Sequence, residues 1–253
     1  MTHGGLRLSA VDPRGFLGAV QFLTRIPVGA GSHPLSGTVV WMPVVGAILG
    51  AILGAVDLGL RWIDAPPILE STLLVVLLLA LTGALHADGL MDTCDAVFGH
   101  ASPERRLEIM RDPRAGAFGV VGLVSVFALK VAALDGLSPG LRPGLLLLAP
   151  TLGRWTIVFL ATVFPYGRAS GLGAPLKTAA TPGALALASV LPLAACVVIG
   201  PIGVACAAVS VVAAYGIGRW LCTLLPGLTG DCYGAVCELT ETLVWVGGAL
   251  VTT

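Results

Sequence analysis

Residues 182–218 read PGALALASVLPLAACVVIGPIGVACAAVSVVAAYGIG and hold no Asp, Glu, Lys or Arg. A bilayer crossing needs about 20 apolar residues, with a range of about 17–25, so this run is too long for one pass. Gly200-Pro201 interrupts it, and that dipeptide is a turn signal. The run therefore reads as two crossings, 183–199 and 201–218. Applied outward along the chain, the same criterion gives 37–60, 67–87, 116–134, 143–164 and 234–252, for seven crossings in all. Residues 15–28 are apolar but short, hold Arg25 and end at Pro27, so they are expected to form a helix lying in the interface.

Composition points the same way. Of 253 residues, 56% are hydrophobic and only 11% charged, against roughly 25% charged in a soluble domain. The mean hydropathy is +0.95. The expected fold is all-α: a polytopic integral membrane helical bundle, one domain over 1–253. It has about seven transmembrane helices, an N-terminal cytoplasmic or interfacial segment at 1–36, and a charged cytoplasmic helical segment at 86–115. Membrane lipids are the expected surroundings. A net charge of zero leaves no basic field for gripping nucleic acid. Cys94, Cys196, Cys206, Cys222, Cys232 and Cys237 form no C-x-x-C pair and no zinc spacing, so they read as small apolar residues in helices. No cleavable signal peptide is expected. Gly46, Gly50 and Gly54, every fourth residue in the first crossing, read as a helix-packing stripe rather than a ligand groove.

Lys and Arg set orientation. With a cytoplasmic N-terminus, ten of the 14 fall on the cytoplasmic side: Arg7, Arg14, Arg25, Arg105, Arg106, Arg111, Arg114, Arg168, Lys177 and Arg219. Arg61 and Arg142 fall opposite, while Lys130 and Arg154 lie inside spans. Lys130 is near enough to an end to snorkel. Arg154 is mid-span, at a cost of about 2.5–3.5 kcal/mol, and needs a carboxylate or an anionic ligand. Glu238 and Glu241, about one turn inside the last span, call for a polar cavity.

Residues 86–114 carry ten of the 28 charged residues. Asp88, Asp92 and Asp95 are spaced i, i+4, i+7, which on a helix puts them on one face. Three such carboxylates repel unless a cation sits among them, and oxygen-only ligands suit Mg²⁺. His86 reads as a base, a phosphate donor or an interfacial polar residue. Ser102-Pro103-Glu104 is a helix start, with the helix running to about Arg111 and Leu107 and Met110 on its apolar side. Arg105, Arg106, Arg111 and Arg114 would then surround the carboxylates, as phosphate forks or as orientation-setting charge. Gly116 and Gly119 open the third span, where backbone amides can meet a phosphate. Arg168, in the loop Tyr166–Gly173, either holds phosphate or belongs to an ordinary connection. Asp231 is a second acidic candidate or a plain N-cap. Clustered carboxylates and arginines at one membrane face point to metal-assisted phosphoryl or nucleotidyl transfer. No G-x-x-x-x-G-K-[ST] motif supports an ATP motor.

Several segments carry a family resemblance: Phe22-Leu23-Thr24-Arg25-Ile26-Pro27, His86-Ala87-Asp88-Gly89-Leu90-Met91-Asp92-Thr93, Glu108-Ile109-Met110-Arg111-Asp112 with Gly116 and Gly119, Gly153-Arg154, and Gly230-Asp231 with Gly234-Ala235. In this order they resemble cobalamin synthase, the adenosylcobinamide-GDP ribazoletransferase family, over about residues 16–245. Met91 and Cys94 depart from it, standing where small residues are expected. The resemblance implies a multi-pass enzyme of the bacterial inner membrane, its active site facing the cytoplasm. It would join adenosylcobinamide-GDP to α-ribazole or its 5′-phosphate and release GMP, with Mg²⁺. A homo-oligomer is compatible with it. On that footing Asp88, Asp92 and Asp95 would hold the ion. Arg25, Arg111 and Arg114 would clamp phosphate, Asp112 or His86 would take the hydroxyl proton, and Asp231 and Glu238 would hold a second ion or the ribazole. Two rivals are weaker. CDP-alcohol phosphotransferases carry Asp-Gly-x-x-Ala-Arg, whereas Asp88-Gly89 is followed by Met91-Asp92. A transporter needs polar residues through the midplane, whereas these gather at one face.

Overall fold

The structure, a computed structural model, describes residues 13–29, 37–168, 170–171 and 173–251. Residues 1–12 and 30–36 of the expected N-terminal segment, Arg7 among them, lie outside the described residues. So do Ala169 and Leu172 of the arginine loop and the last residue of the expected final span. Among the described residues there are helices and no strands. They are α1 (Pro13–Leu23), α2 (Met42–Trp62), α3 (Pro67–Thr82), α4 (Leu85–Phe98), α5 (Pro103–Ile109), α6 (Ala117–Gly136), α7 (Arg142–Val163), α8 (Gly173–Ala179), α9 (Pro182–Ile199), α10 (Pro201–Leu224) and α11 (Gly230–Leu250).

Five of these helices are long and apolar enough to cross a bilayer: α2 with its leading 3-10 turn, α6, α7, α9 and α10. The α3–α4 pair makes six if it counts as one broken span. The chain is thus a multi-pass helical membrane protein, with two corrections to the expected seven crossings. The second expected crossing, 67–87, is not continuous. Gly83 (φ 60°) and Ala84 (φ 57°) are both left-handed, and they turn α4 by 92° from α3. Helical hydrogen bonding cannot pass two left-handed residues, so Gly83 and Ala84 instead cap α3 through bonds to Ala80 O and Leu79 O. The last expected crossing is the helix α11, which at 21 residues is long enough but is not among the strongly apolar helices. Its acidic residues suit a helix enclosed by protein, and Glu238 and Glu241 are both buried.

The bundle is built around α7 and α11. In the most apolar stretch of α7, 78% of residues are buried inside the protein, against 22% in α9. Outer helices accordingly present valines to the lipid, such as Val197, Val198 and Val212. Gly46 and Gly50 let α2 lie directly on the α7 backbone near Pro150 and Leu146, where a Cβ has no room. Gly54 faces open space. The expected break between α9 and α10 is at Gly200, whose φ of 86° suits glycine. Helix α1 buries Ala19 and Leu23 against the bundle, so it docks on protein along one side.

At one end of the bundle, Arg142 is buried between Asp57 (2.7 Å) and Glu70 (2.5 Å), and Arg61 reaches the same two carboxylates. This closes α2, α3 and α7 together. The opposite end gathers the C-termini of α4 and α7 and the N-termini of α6 and α11, and the acidic site lies there.

Candidate active site

Helices α4 and α11 touch backbone to backbone. A Cβ on Gly89 would stand 2.8 Å from Asp231 O, and one on Gly234 would stand 3.2 Å from the His86 backbone. Only small residues permit this approach, and it brings Asp88 and Asp92 of α4 beside Asp231 of α11. Asp92 feels the charges of Asp88, Asp231, Asp95 and Arg168. The first turn of α11 is capped by Thr229, whose Oγ1 accepts from Cys232 N. Thr229, and not Asp231, is therefore the N-cap, and the Asp231 carboxylate pairs with Arg168 at 2.9 Å. Arg168 is delivered by a short backbone pairing: Gly167 N donates to Leu228 O and Leu228 N to Pro165 O. Gly167 and Gly227 allow the two loop segments, one after α7 and one before α11, to meet.

Beside these carboxylates lies a cavity of about 160 Å³. Phe22, Leu85, Ile157, Leu176 and Tyr233 give it apolar walls, and His86, Asp88 and Asp231 a polar edge. Tyr233 was not singled out from the sequence. Neither was the reach of Lys177, which donates to Ala161 O and Phe164 O and ends α7 next to the site.

Several expected neighbours of the carboxylates are elsewhere. Asp95 accepts from Gly116 N and Gly119 N, both at 2.8 Å, one bond to each oxygen. The glycine-opened start of α6 thus meets an anion, as its dipole favours, but the anion is Asp95 rather than a phosphate. A Cβ at Gly119 would also crowd the Met91 carbonyl. Cys94 fills the space over Gly122, which accommodates the departure at that position. Helix α5 starts at Ser102 as expected, with Ser102 Oγ accepting from Arg105 N. Its arginines, however, do not ring the aspartates. Arg106 is buried and donates to Ala96 O and Val97 O, closing the end of α4. Arg105 pairs with Glu108, and Arg114 with Asp112 on the exposed turn after α5. That pairing holds the Asp112 carboxyl down at about 2, which leaves it a poor proton acceptor near neutrality. Arg111 is exposed. Arg25 lies across the α3–α4 bend, over Gly83, with its N–H on Leu81 O.

Beneath the cavity is a closed set of buried charges. Arg154 donates to Glu241, Lys130 bridges Glu241 and Glu238 at 2.5 Å each, and a second Arg154 nitrogen lies 3.4 Å from His86 Nδ1. Arg154 therefore has the carboxylate its mid-span position called for. Lys130 does not snorkel to an end: it is 3% exposed and lies over the Trp245 ring. Glu238 is committed to Lys130 rather than open to a ligand. The closeness of these four charges, which lie on α6, α7 and α11, shows only once the helices are packed.

Fold and site together define a multi-pass helical membrane protein with an acidic, arginine-paired cleft at one end of its bundle. Residues 15–249 match the model of the cobalamin-5-phosphate synthase family. Relatives named adenosylcobinamide-GDP ribazoletransferase include one from Roseiflexus sp., 40% identical over 88% of this chain and 84% of the relative. Another, from Pseudomonas paraeruginosa, is 41% identical over 92% of this chain and 96% of the relative. A third, from Synechococcus elongatus, is 40% identical over 90% and 93%. No solved structure matches. The chain belongs to the cobalamin-5-phosphate synthase family, and is a transferase of cobalamin biosynthesis.

Proposed function

We propose that the cleft between α4 and α11 joins adenosylcobinamide-GDP to α-ribazole or its 5′-phosphate and releases GMP. The observation that carries this is the convergence of Asp88, Asp92 and Asp231 with Arg168 beside one cavity. A ribazole hydroxyl oxygen would bond to the cobinamide-side phosphorus while the bond from that phosphorus to the bridging oxygen breaks, and GMP would leave with the bridging oxygen and the proton lost by the hydroxyl. Arg168 is placed to hold a phosphate oxygen once Asp231 shares it.

Among the described residues no group of three or more His, Cys, Asp or Glu side chains is arranged to hold an ion by itself. Mg²⁺ usually binds through one or two carboxylates and takes further oxygens from substrate phosphates and water. Asp88 and Asp92 are the ligands of choice, because Asp95 has both oxygens engaged. Bound there, Mg²⁺ would supply Lewis-acid stabilisation of the phosphoryl charge. The site end carries most of the basic residues, which supports a cytoplasmic active site in the bacterial inner membrane.

Purified protein in liposomes, given adenosylcobinamide-GDP and α-ribazole, should form GMP and the joined cobamide in equal amounts. Turnover of CDP-diacylglycerol with no GMP formed would move the protein to the CDP-alcohol phosphotransferases.

A further inference from the structure

We propose that His86 meets the substrate as a fixed hydrogen-bond donor, its Nε2–H aimed at a phosphoryl oxygen, and that Arg154, Glu241 and Lys130 are positioning residues holding that tautomer. This deepens the transfer reading above and rests on it for the identity of the ligand.

Arg154 is a donor that has no choice of role. A guanidinium carries five N–H donors and no acceptor. Arg154 Nη2 lies 3.4 Å from His86 Nδ1, so Nδ1 must offer its lone pair and the ring proton of a neutral imidazole sits on Nε2. Arg154 cannot turn away. It is fully buried, and Glu241 holds another of its nitrogens. Glu241 is held in turn by Lys130, which also binds Glu238. Two cations face two carboxylates, so the set is closed electrically and has no need of a charge on His86. Of the three helices carrying it, α6 and α11 pack directly on α4, and α7 reaches it through Arg154.

The other ring nitrogen tells where the proton goes. His86 is 3% exposed, and its Nε2 is buried without a hydrogen-bond partner. A buried donor left unmade is costly, and native proteins seldom leave one without a function. His86 lines the cavity with Asp88 two residues further along α4. A pyrophosphate held at Asp88 would enter the cavity that the His86 ring also lines. In this arrangement His86 does not take the ribazole proton, because its one free lone pair is occupied by Arg154.

The test uses whole protein in nanodiscs, labelled with ¹⁵N-histidine. The chain has four histidines, and His86→Gln assigns the signal. Nitrogen spectra should show the Nε2–H tautomer, with the Nε2 signal moving when adenosylcobinamide-GDP is added. Glu241→Gln should let both tautomers appear, an effect that a purely structural role for the network would not produce. In turnover, His86→Leu should lose roughly 10- to 100-fold in kcat/KM, the worth of a hydrogen bond to a charged group. His86→Gln, which keeps an N–H donor, should recover part of that loss. The Nδ1–H tautomer in the wild type, or an Nε2 signal unmoved by the donor substrate, would overturn the proposal. Wild-type protein that forms no GMP at all would instead defeat the transfer reading, and the tautomer measurement would still stand by itself.

Discussion

Replacing Arg154 by Leu removes a fully buried guanidinium and leaves the Glu241 carboxylate behind it. Breaking a buried pair from one side costs about 3–5 kcal/mol, because the remaining charge stays buried. Glu241 is not wholly abandoned here, since Lys130 still holds its other oxygen. The loss should therefore fall near the low end, at about 3 kcal/mol. Removing both partners, in Arg154→Leu/Glu241→Leu, leaves Lys130 and Glu238 as a neutral pair in an apolar setting. That double variant should regain most of the lost stability, since apolar replacement of a whole buried pair is often neutral or better. Its kcat/KM should stay low by up to roughly 10- to 100-fold, the loss expected for His86→Leu, because His86 has lost the donor that fixes its ring. Thermal unfolding in detergent micelles, followed beside GMP formation, separates the two effects. An Arg154→Leu protein that unfolds at the wild-type temperature, or a double variant less stable than the single one, would refute the reasoning.

Other positions give sharper contrasts. Asp88→Asn and Asp92→Asn should each cost about 10³-fold in rate while inserting normally, as read by GMP release and membrane yield. Asp95→Asn should behave as a capping variant, losing about 1–2 kcal/mol of stability with no change in the Mg²⁺ concentration at half-maximal rate. Asp112→Asn should leave the pH–rate profile unchanged near neutrality. Its carboxyl is held at about 2 by Arg114, so the ion pair is complete above the ordinary value of 3.8 and is lost only as pH falls through about 2. Gly89→Val should push α4 off α11, because even a Cβ there would stand 2.8 Å from Asp231 O. Activity should vanish in a protein that still inserts.

Apolar runs and breakers carried the fold a long way. Gly200-Pro201 marks a real break, and Ser102-Pro103 a real helix start, because both signals are local. The bend at Gly83-Ala84 is local too, yet the surrounding residues are apolar enough that the length of the apolar run alone carries the span on to residue 87. A Gly after Thr82 was its one sequence sign. The site was legible in part. Asp88 and Asp92 share a face because spacing on a helix decides that. The partners of Asp95, Arg106 and Lys130 were not legible, since each lies across a helix–helix contact: α4 with α6, α5 with α4, and α6 with α11. Closeness in sequence makes the charges of residues 86–114 look like one group. Packing divides them into caps, exposed pairs and a buried network.

The most direct measurement is the rate of GMP formation from adenosylcobinamide-GDP and α-ribazole against Mg²⁺ concentration, for reconstituted wild type and Asp88→Asn. The rate should saturate with Mg²⁺, no product should form in excess chelator, and added Mg²⁺ should not restore the loss in Asp88→Asn. Equal rates with and without chelator, or coincident curves for the two proteins, would contradict it.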